Sequence, residues 1–388
     1  MGKSPKRIAA LVAVGLIGAV GVAAAPAAGA LTNRALTDRH QTEFTVIANH
    51  LNNPRGLSPA PGGGVYLAEA GSGGSHCVKG GEQGTTCVGL TGSLDEVDPN
   101  GEVERIVGGL ISASGPGGSA AEGPVSVSTA PNGAFMALFG LSTQQVPPKG
   151  VLPAALRNAA LAQLGHLWRV GHSGRILASA NVGSQDWTWS LQHKNLAPKD
   201  FPDANPNNVL YTGGDIYVVD AGTNVLDRMG TGGVARILNF FPVPKGWQSD
   251  SVPTCVAQGP DHAFYIAELL GGFYAPGHAR VWRFVPGHGA TVWATGLTTV
   301  QGCGFGSNGA FYATEFQVHG LTQNNPAGDV VRIWHGVRTH LGVGRLFYPS
   351  GFAAGRNGSI YVSNCSIAPA TGLGPHLCPK GGQIVRLG

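Results

Sequence analysis

Apolar residues in this chain alternate with polar ones over short runs, broken every few positions by glycine, asparagine or proline. That is the pattern of short half-buried strands joined by tight turns. One unit recurs: a small or polar entry, a short apolar run, a Gly/Asn turn, and a strand built on an aromatic residue. Its copies are PRGLSPAPGGGVYLAEAG (54–71), PVSVSTAPNGAFMALFG (124–140) and PNNVLYTGGDIYVVDAG (206–222). PTCVAQGPDHAFYIAEL (253–269), VQGCGFGSNGAFYATEF (300–316) and PSGFAAGRNGSIYVSNC (349–365) complete the set. The aromatic anchors read as Tyr66, Phe135, Tyr217, Tyr265, Tyr312 and Tyr361, and the last four lie 48, 47 and 49 residues apart.

A second hairpin follows each copy, with arginine at a recurrent place: Arg169, Arg228, Arg283, Arg332 and Arg386, replaced by Glu96 in the first repeat. The sixth repeat stops after GGQIVRLG (381–388), one strand short, and EFTVIANHL (43–51) at the other end resembles the missing strand. Four short strands per repeat and complementary termini define a ring. The expected fold is therefore all-β: a six-bladed β-propeller of the NHL/gluconolactonase-like kind, with four antiparallel strands per blade. The N-terminal strand closes the last blade and removes two free sheet edges. An open two-sheet sandwich gives no reason for the period or for the matching ends.

With the strands of a blade labelled A to D from the axis outward, the A–B turns and most C–D turns are tight. Long B–C loops are expected over about 70–92, 140–164 and 365–381, so loop length gathers on one face, where binding residues are usually carried. The second of these holds the one strongly helix-prone stretch, VLPAALRNAALAQLG, which predicts a helical insertion at about 145–164.

Residues 1–30 read as a signal peptide: Lys3, Lys6 and Arg7, then an apolar run from Ile8 to about Val22, then the small-residue pattern Ala28-Gly29-Ala30. Residues 31–42 read as a linker and 43–388 as one propeller domain. The mature protein is expected to be secreted, monomeric and free of the membrane. Loss of the three leader cations lowers the formal net charge from +4 to +1. Only 12% of residues are charged, which argues against nucleic acid as a partner. Glycine fills 62 of 388 positions, over twice the usual share of roughly 7%, as many tight turns require.

Six cysteines in an exported chain imply disulfides. Cys77 and Cys87 bracket one Gly-rich loop, and Cys365 and Cys378 bracket another, so both pairs are expected to be bonded. Cys255 and Cys303 fall on inner strands of adjacent blades, one position out of step, and are expected to stay reduced and buried. No metal-binding spacing accompanies these cysteines.

Two columns fall out of the repeat alignment. At the start of strand A, nearest the axis, stand Arg55, Val125, Asn207, Thr254, Gln301 and Ser350. Arg55 is the only charge among them and the leading candidate for a ligand contact, with Asn207 and Gln301 as orienting partners. Three residues beyond each anchor stand Glu69, Leu138, Asp220, Glu268, Glu315 and Asn364. These four carboxylates, one strand further out, are candidates for a ligand site or for struts that hold the loops. A small polar or aromatic acid, rather than a metal or a cofactor, is expected at the channel mouth. No nucleophile elbow, P-loop or H-E-x-x-H occurs, and no dinucleotide fingerprint stands in a strand–helix context.

The run LNNPRGLSPAPGGGVYLAEAGSGG, the Cys77/Cys87 loop, NPNNVLYTGGDIYVVDAGTNVLDRM, SVPTCVAQGPDHAFYIAELLGG and GFAAGRNGSIYVSNC with GGQIVRL resemble the ScyD/ScyE family of exported propeller proteins. The resemblance implies a secreted six-bladed propeller with no assigned reaction. That is a binding or scaffold module for a small molecule or an extracellular protein partner. The alternative is a lactonase-, hydrolase- or secondary-metabolite-modifying enzyme working at the central channel. Val125 stands where the resemblance would place a histidine. A second resemblance, to calcium-dependent lactonases, finds only Asn207 as an axial ligand, and Arg55 would repel Ca²⁺.

Overall fold

The structure is a computed structural model that describes residues 43–81, 84–242, 250–270, 276–323, 325–355 and 358–388. The expected leader and linker lie outside the described residues. Strand β1 (Phe44–Leu51) is the first strand among the described residues and belongs to the last blade.

Blade 1 comprises β2 (Pro54–Pro59), β3 (Val65–Glu69), β4 (His76–Gly81), β5 (Gly84–Val97) and β6 (Val103–Ser114), in which β4 is an extra strand on an extended hairpin. Blade 2 holds β7 (Pro124–Thr129), β8 (Phe135–Phe139), β9 (His166–Val170) and β10 (Ile176–Asn181). Blade 3 holds β11 (Pro206–Thr212), β12 (Asp215–Asp220), β13 (Val225–Met229) and β14 (Ala235–Phe240). Blade 4 holds β15 (Pro253–Gln258), β16 (Phe264–Glu268), β17 (Ala279–Val285) and β18 (Gly289–Leu297). Blade 5 holds β19 (Val300–Phe305), β20 (Phe311–Glu315), β21 (Ala327–Trp334) and β22 (Val337–Phe347). Blade 6 is β23 (Phe352–Ala354), β24 (Ile360–Asn364) and β25 (Gly382–Leu387), completed by β1, which pairs antiparallel with β25 from Phe44↔Leu387 to Leu51↔Gly382. The fold is a six-bladed β-propeller closed as the sequence predicts.

Helix α1 (Ala154–Gln163) lies inside the expected insertion. A second helix, α2 (Val182–Gln192), occupies the connection from blade 2 to blade 3 and was not expected. Its sequence, VGSQDWTWSLQ, has no apolar stripe at helical spacing. It is held from outside, by Asn181 Oδ1 accepting the Ser184 N–H at 2.9 Å and by Trp189 packing between Phe201 and Phe240.

The blades pack through their anchors. Cross-strand pairing sets Tyr66 opposite Glu96, Tyr217 opposite Arg228, Tyr265 opposite Arg283, Tyr312 opposite Arg332 and Tyr361 opposite Arg386. In blade 2, Arg169 pairs with Met136. The true anchor there is Met136, and Phe139, rather than Leu138, ends strand B opposite Pro124. Blades 4 and 5 carry Phe-Tyr at these two positions, so aromatic character alone does not say which one Phe135 fills.

The same contacts explain a correction. Tyr66 stacks on Phe135 at 4.5 Å, and Tyr217 packs on Phe264 at 4.2 Å. Each is an anchor against the residue before the anchor of the next blade. Blades meet face to face, so residues that touch come from opposite faces of equivalent sheets and sit one position apart. By that rule Cys255 and Cys303, one step out of register, face each other, and they form a disulfide with Cα atoms 5.8 Å apart. The expectation of two reduced thiols counted side-chain alternation within a sheet and left out the reversal between sheets. The other two pairs, Cys77–Cys87 and Cys365–Cys378, are bonded as expected.

Candidate functional site

The first residues of the inner strands meet at the axis. Arg55, Val125, Asn207, Thr254, Gln301 and Ser350, one from each blade, line a single cavity of about 770 Å³ including its open mouth. Glycine follows the axial residue in blades 1, 5 and 6, because the inner strands almost touch there. A Cβ on Gly351 would lie 2.2 Å from the Arg55 carbonyl oxygen, and one on Gly56 would lie 2.7 Å from the Ser126 Cα.

Polar side chains tie these strands around the ring. The Thr129 N–H donates to Ser58 Oγ, Asn208 Nδ2 to Ser126 Oγ, and the Val256 N–H to Asn208 Oδ1. Thr254 donates to the Val300 carbonyl, Thr314 to the Ser350 carbonyl and Ser363 to the Arg55 carbonyl. Every seam is bridged, which holds the cavity wall in one geometry.

Arg55 is placed by the turn before it. Asn53, in the left-handed region at φ 52°, donates to the Gly71 and Gly118 carbonyls and accepts the Ala121 N–H. This draws the entry to blade 2 against blade 1. Arg55 Nη2 then donates to the Ala121 carbonyl at 2.7 Å, while its Nε is buried and has no partner. Burial holds the guanidinium below its ordinary pKa, partly opposed by the nearby carboxylate of Glu122.

Glu122 is the residue the sequence reading missed. It lines the axial cavity, and among the described residues no hydrogen-bond donor reaches its carboxylate. Burial pushes its pKa up to about 7, with Arg55 pulling the other way. It occupies the position two residues before strand A, where the other blades have Asn52, Ala204, Ser251, Thr298 and Phe347. Glu122 is the only charge in that set, and this was the signal available.

Glu122 also lines a second cavity, of about 940 Å³ including its mouth. The walls there are apolar: Val78 and Val88 of the β4–β5 hairpin, Ile111 of β6, and Leu141, Leu152 and Leu164 of the blade 2 insertion. Two hydrogen bonds fasten the insertion down, His76 Nε2 to the Val151 carbonyl at 3.0 Å and the Ile111 N–H to Gln163 Oε1 at 2.7 Å.

The carboxylate column lines neither cavity. Glu69 accepts the Asn52 N–H, Asp220 the Asn205, Gly222 and Thr223 N–H groups, and Glu315 the Thr298 N–H. Glu268 accepts from Ser251, Arg280 and Trp282 Nε1. Asn364 accepts the Phe347 N–H in the same way. Each clamps the chain entering its own blade, and each has a further neighbour on strand C or D. Glu69 lies with Asp95 and Arg105, and its pKa is pushed up to about 8 by burial and by Asp95. Asp220 lies with Asp227 and with Asp186 of α2; burial and mutual repulsion raise Asp186 and Asp227 well above the carboxylate range. Glu315 lies with Asp329 and His340. The candidate set thus divides: Arg55, Asn207 and Gln301 share the cavity, while Glu69, Asp220, Glu268 and Glu315 hold the frame around it.

In fold the chain is similar to a gluconolactonase from Xanthomonas campestris, at TM-score 0.52 and 8% identity over 89% of this chain and 90% of that one. It is also similar to an aldose sugar dehydrogenase from Streptomyces coelicolor, at TM-score 0.51 and 10% identity over 91% and 100%. Virginiamycin B lyase from Staphylococcus aureus superposes at TM-score 0.46 and 12% identity over 84% and 83%. At these identities the likeness is one of fold. No protein-family model matches the sequence, and no curated protein matches it.

Proposed function

We propose that this chain is an exported ScyD/ScyE-like propeller that binds a small amphipathic acid on its long-loop face, the acid group at Arg55 and the apolar body beneath the blade 2 insertion. One observation carries the reading: Glu122 lines both the polar axial cavity and the apolar one, and Arg55 lines the axial cavity near it. A buried arginine with an idle Nε–H suits a carboxylate, which it can grip through two N–H groups. Asn207 and Gln301 supply orienting hydrogen bonds from across the axis. The apolar chamber takes the rest of the molecule, as ligand sites commonly combine a few polar groups with apolar walls.

The test uses a fluorescent anion, anilinonaphthalene sulfonate, displaced by phenylbutyrate and by its neutral counterpart phenylbutanol. The acid should compete and the alcohol should not. Arg55→Ala should remove the preference for the acid, and Leu152→Trp, which fills the chamber, should weaken binding of both the probe and the acid. Equal competition by acid and alcohol in the unmodified protein would overturn the reading.

A second reading is favoured by Glu122 itself. A carboxyl group with a pKa of about 7 beside an arginine is suited to general acid–base work near neutral pH. In this reading Arg55 stabilises the developing negative charge and Glu122 moves the proton. Turnover of any ester or lactone found to bind should then follow one ionisation near pH 7 and vanish in Glu122→Gln, while binding of the same compound survives.

A further inference from the structure

Three strands of blade 5 converge on one more site, away from both cavities. Glu315 ends β20, Asp329 lies opposite it on β21, and His340 lies on β22 diagonal to Asp329. One ligand atom from each falls within 4.8 Å of the other two. That spacing suits a single ion bound at about 2.0–2.2 Å by nitrogen and carboxylate oxygen. His340 Nδ1 stands 2.7 Å from Asp329 Oδ2, while the other Asp329 oxygen is buried without any partner, on a side chain only 7% exposed.

Blades 1 and 4 supply a contrast. Blade 1 balances its clamp carboxylate and Asp95 with Arg105, and blade 4 balances Glu268 with Arg280. Arginine is a permanent cation and no metal ligand. Blade 5 has two acids and, in place of such a third-strand or outer-strand arginine, a histidine. Arg338, the nearby cation, is spent on the Thr295 and Gly296 carbonyls of β18. The histidine side chain is 53% exposed, so the group opens to solvent at the blade's outer strand.

We propose that Glu315, Asp329 and His340 form a binding site for a divalent transition-metal ion of the zinc type. Two carboxylates cancel the ion's charge, the imidazole selects against a hard ion such as Ca²⁺, and three protein ligands leave a position for water. The unpartnered Asp329 oxygen gains a partner, and the ion bolts strands B, C and D of blade 5 together.

The experiment is calorimetric titration of metal-free purified protein with Zn²⁺, repeated with Co²⁺ so that its visible spectrum reports a nitrogen- and oxygen-ligated site. One equivalent should bind, unaffected by excess Ca²⁺. His340→Gln, an exposed position that leaves the fold intact, should weaken binding roughly 100-fold or more, since even an outer partner of a metal ligand costs 10–100-fold. Asp329→Asn should do the same without shifting the circular dichroism spectrum. Absence of stoichiometric binding would overturn the assignment. So would equal affinity in the unmodified and His340→Gln proteins, because the ion would then be held by other histidines.

Discussion

Cys255 on the inner strand of blade 4 and Cys303 on the inner strand of blade 5 are bonded across the seam between the two blades, 48 residues apart in the chain. Cys255 is almost fully buried in the cluster formed by Tyr265, Phe311 and Val331, so the bond sits within packed side chains beside the axial cavity. Closing a loop of that length is worth about 4 kcal/mol in the chain-entropy model. Non-reducing peptide mapping should find all three linkages and no free thiol. Replacing both Cys255 and Cys303 by alanine should lower the midpoint of denaturant unfolding substantially, and more than loss of the exposed-hairpin pair Cys77–Cys87. A free thiol at position 255 or 303 in protein purified without reductant would refute the assignment.

Ring closure gives the second prediction. β1 covers the edge of β25 along its whole length and buries Ala48 and Leu51. Removing residues 31–51 exposes the outer edge of blade 6 and leaves a sheet ready to pair with another molecule. The truncated protein should melt far below a chain that keeps residues 31–51 and should aggregate. A melting temperature within a degree or two of the chain that keeps the strand would mean that β1 contributes little.

A third prediction concerns pH. Asp186, Asp220, Asp227 and Asp203 are deeply buried with pKa values raised by burial, Asp203 to about 7, and Glu69 is raised to about 8. Each binds its proton more tightly folded than unfolded. Their contribution to stability is therefore complete below the unfolded carboxylate range and is lost as pH rises toward the folded values. The melting temperature should be higher at pH 5 than at pH 8. Asp227→Asn should flatten that slope, since asparagine keeps the shape and removes one ionisation. A melting temperature that rises from pH 5 to pH 8 would contradict these environments.

The blade count, the closing strand and the axial column were legible in the sequence because a repeat puts equivalent residues in equivalent places. What escaped lies outside that symmetry. Glu122 belongs to a connection, and its importance depends on Arg55 from another blade and on a chamber built by two insertions. α2 depends on Trp189 reaching Phe201 and Phe240, contacts that its own composition does not announce. The Cys255–Cys303 bond obeys a rule of blade-to-blade facing that strand alternation alone conceals. Four recurrent carboxylates read either as a ligand site or as struts. Each fastens the chain entering its own blade, as Asn364 does in blade 6, and a need shared by five blades is structural.

The last prediction separates Arg55 as a ligand contact from Arg55 as a strut. Its guanidinium makes one hydrogen bond to the Ala121 carbonyl and leaves Nε idle, and it forms no ion pair within 4.0 Å with a described residue. One hydrogen bond is worth about 1 kcal/mol, and burying the charge costs part of that back. Asn53 Oδ1 already fastens the Ala121 backbone by accepting the Ala121 N–H. Arg55→Ala should therefore move the melting temperature by only about 2 °C, while removing binding of the aromatic acid. Arg55→Lys keeps the charge without the planar fork and should recover stability and only part of the binding. In Arg55→Ala the nearby carboxylate loses its stabilising cation, so the Glu122 pKa should rise above about 7. Carbon-13 labelling of the glutamate carboxyls, followed through a pH titration, reads that shift directly. If Arg55→Ala instead collapses stability with Glu122 titrating unchanged, the arginine is holding the entry to blade 2 and the axial cavity has lost its proposed ligand.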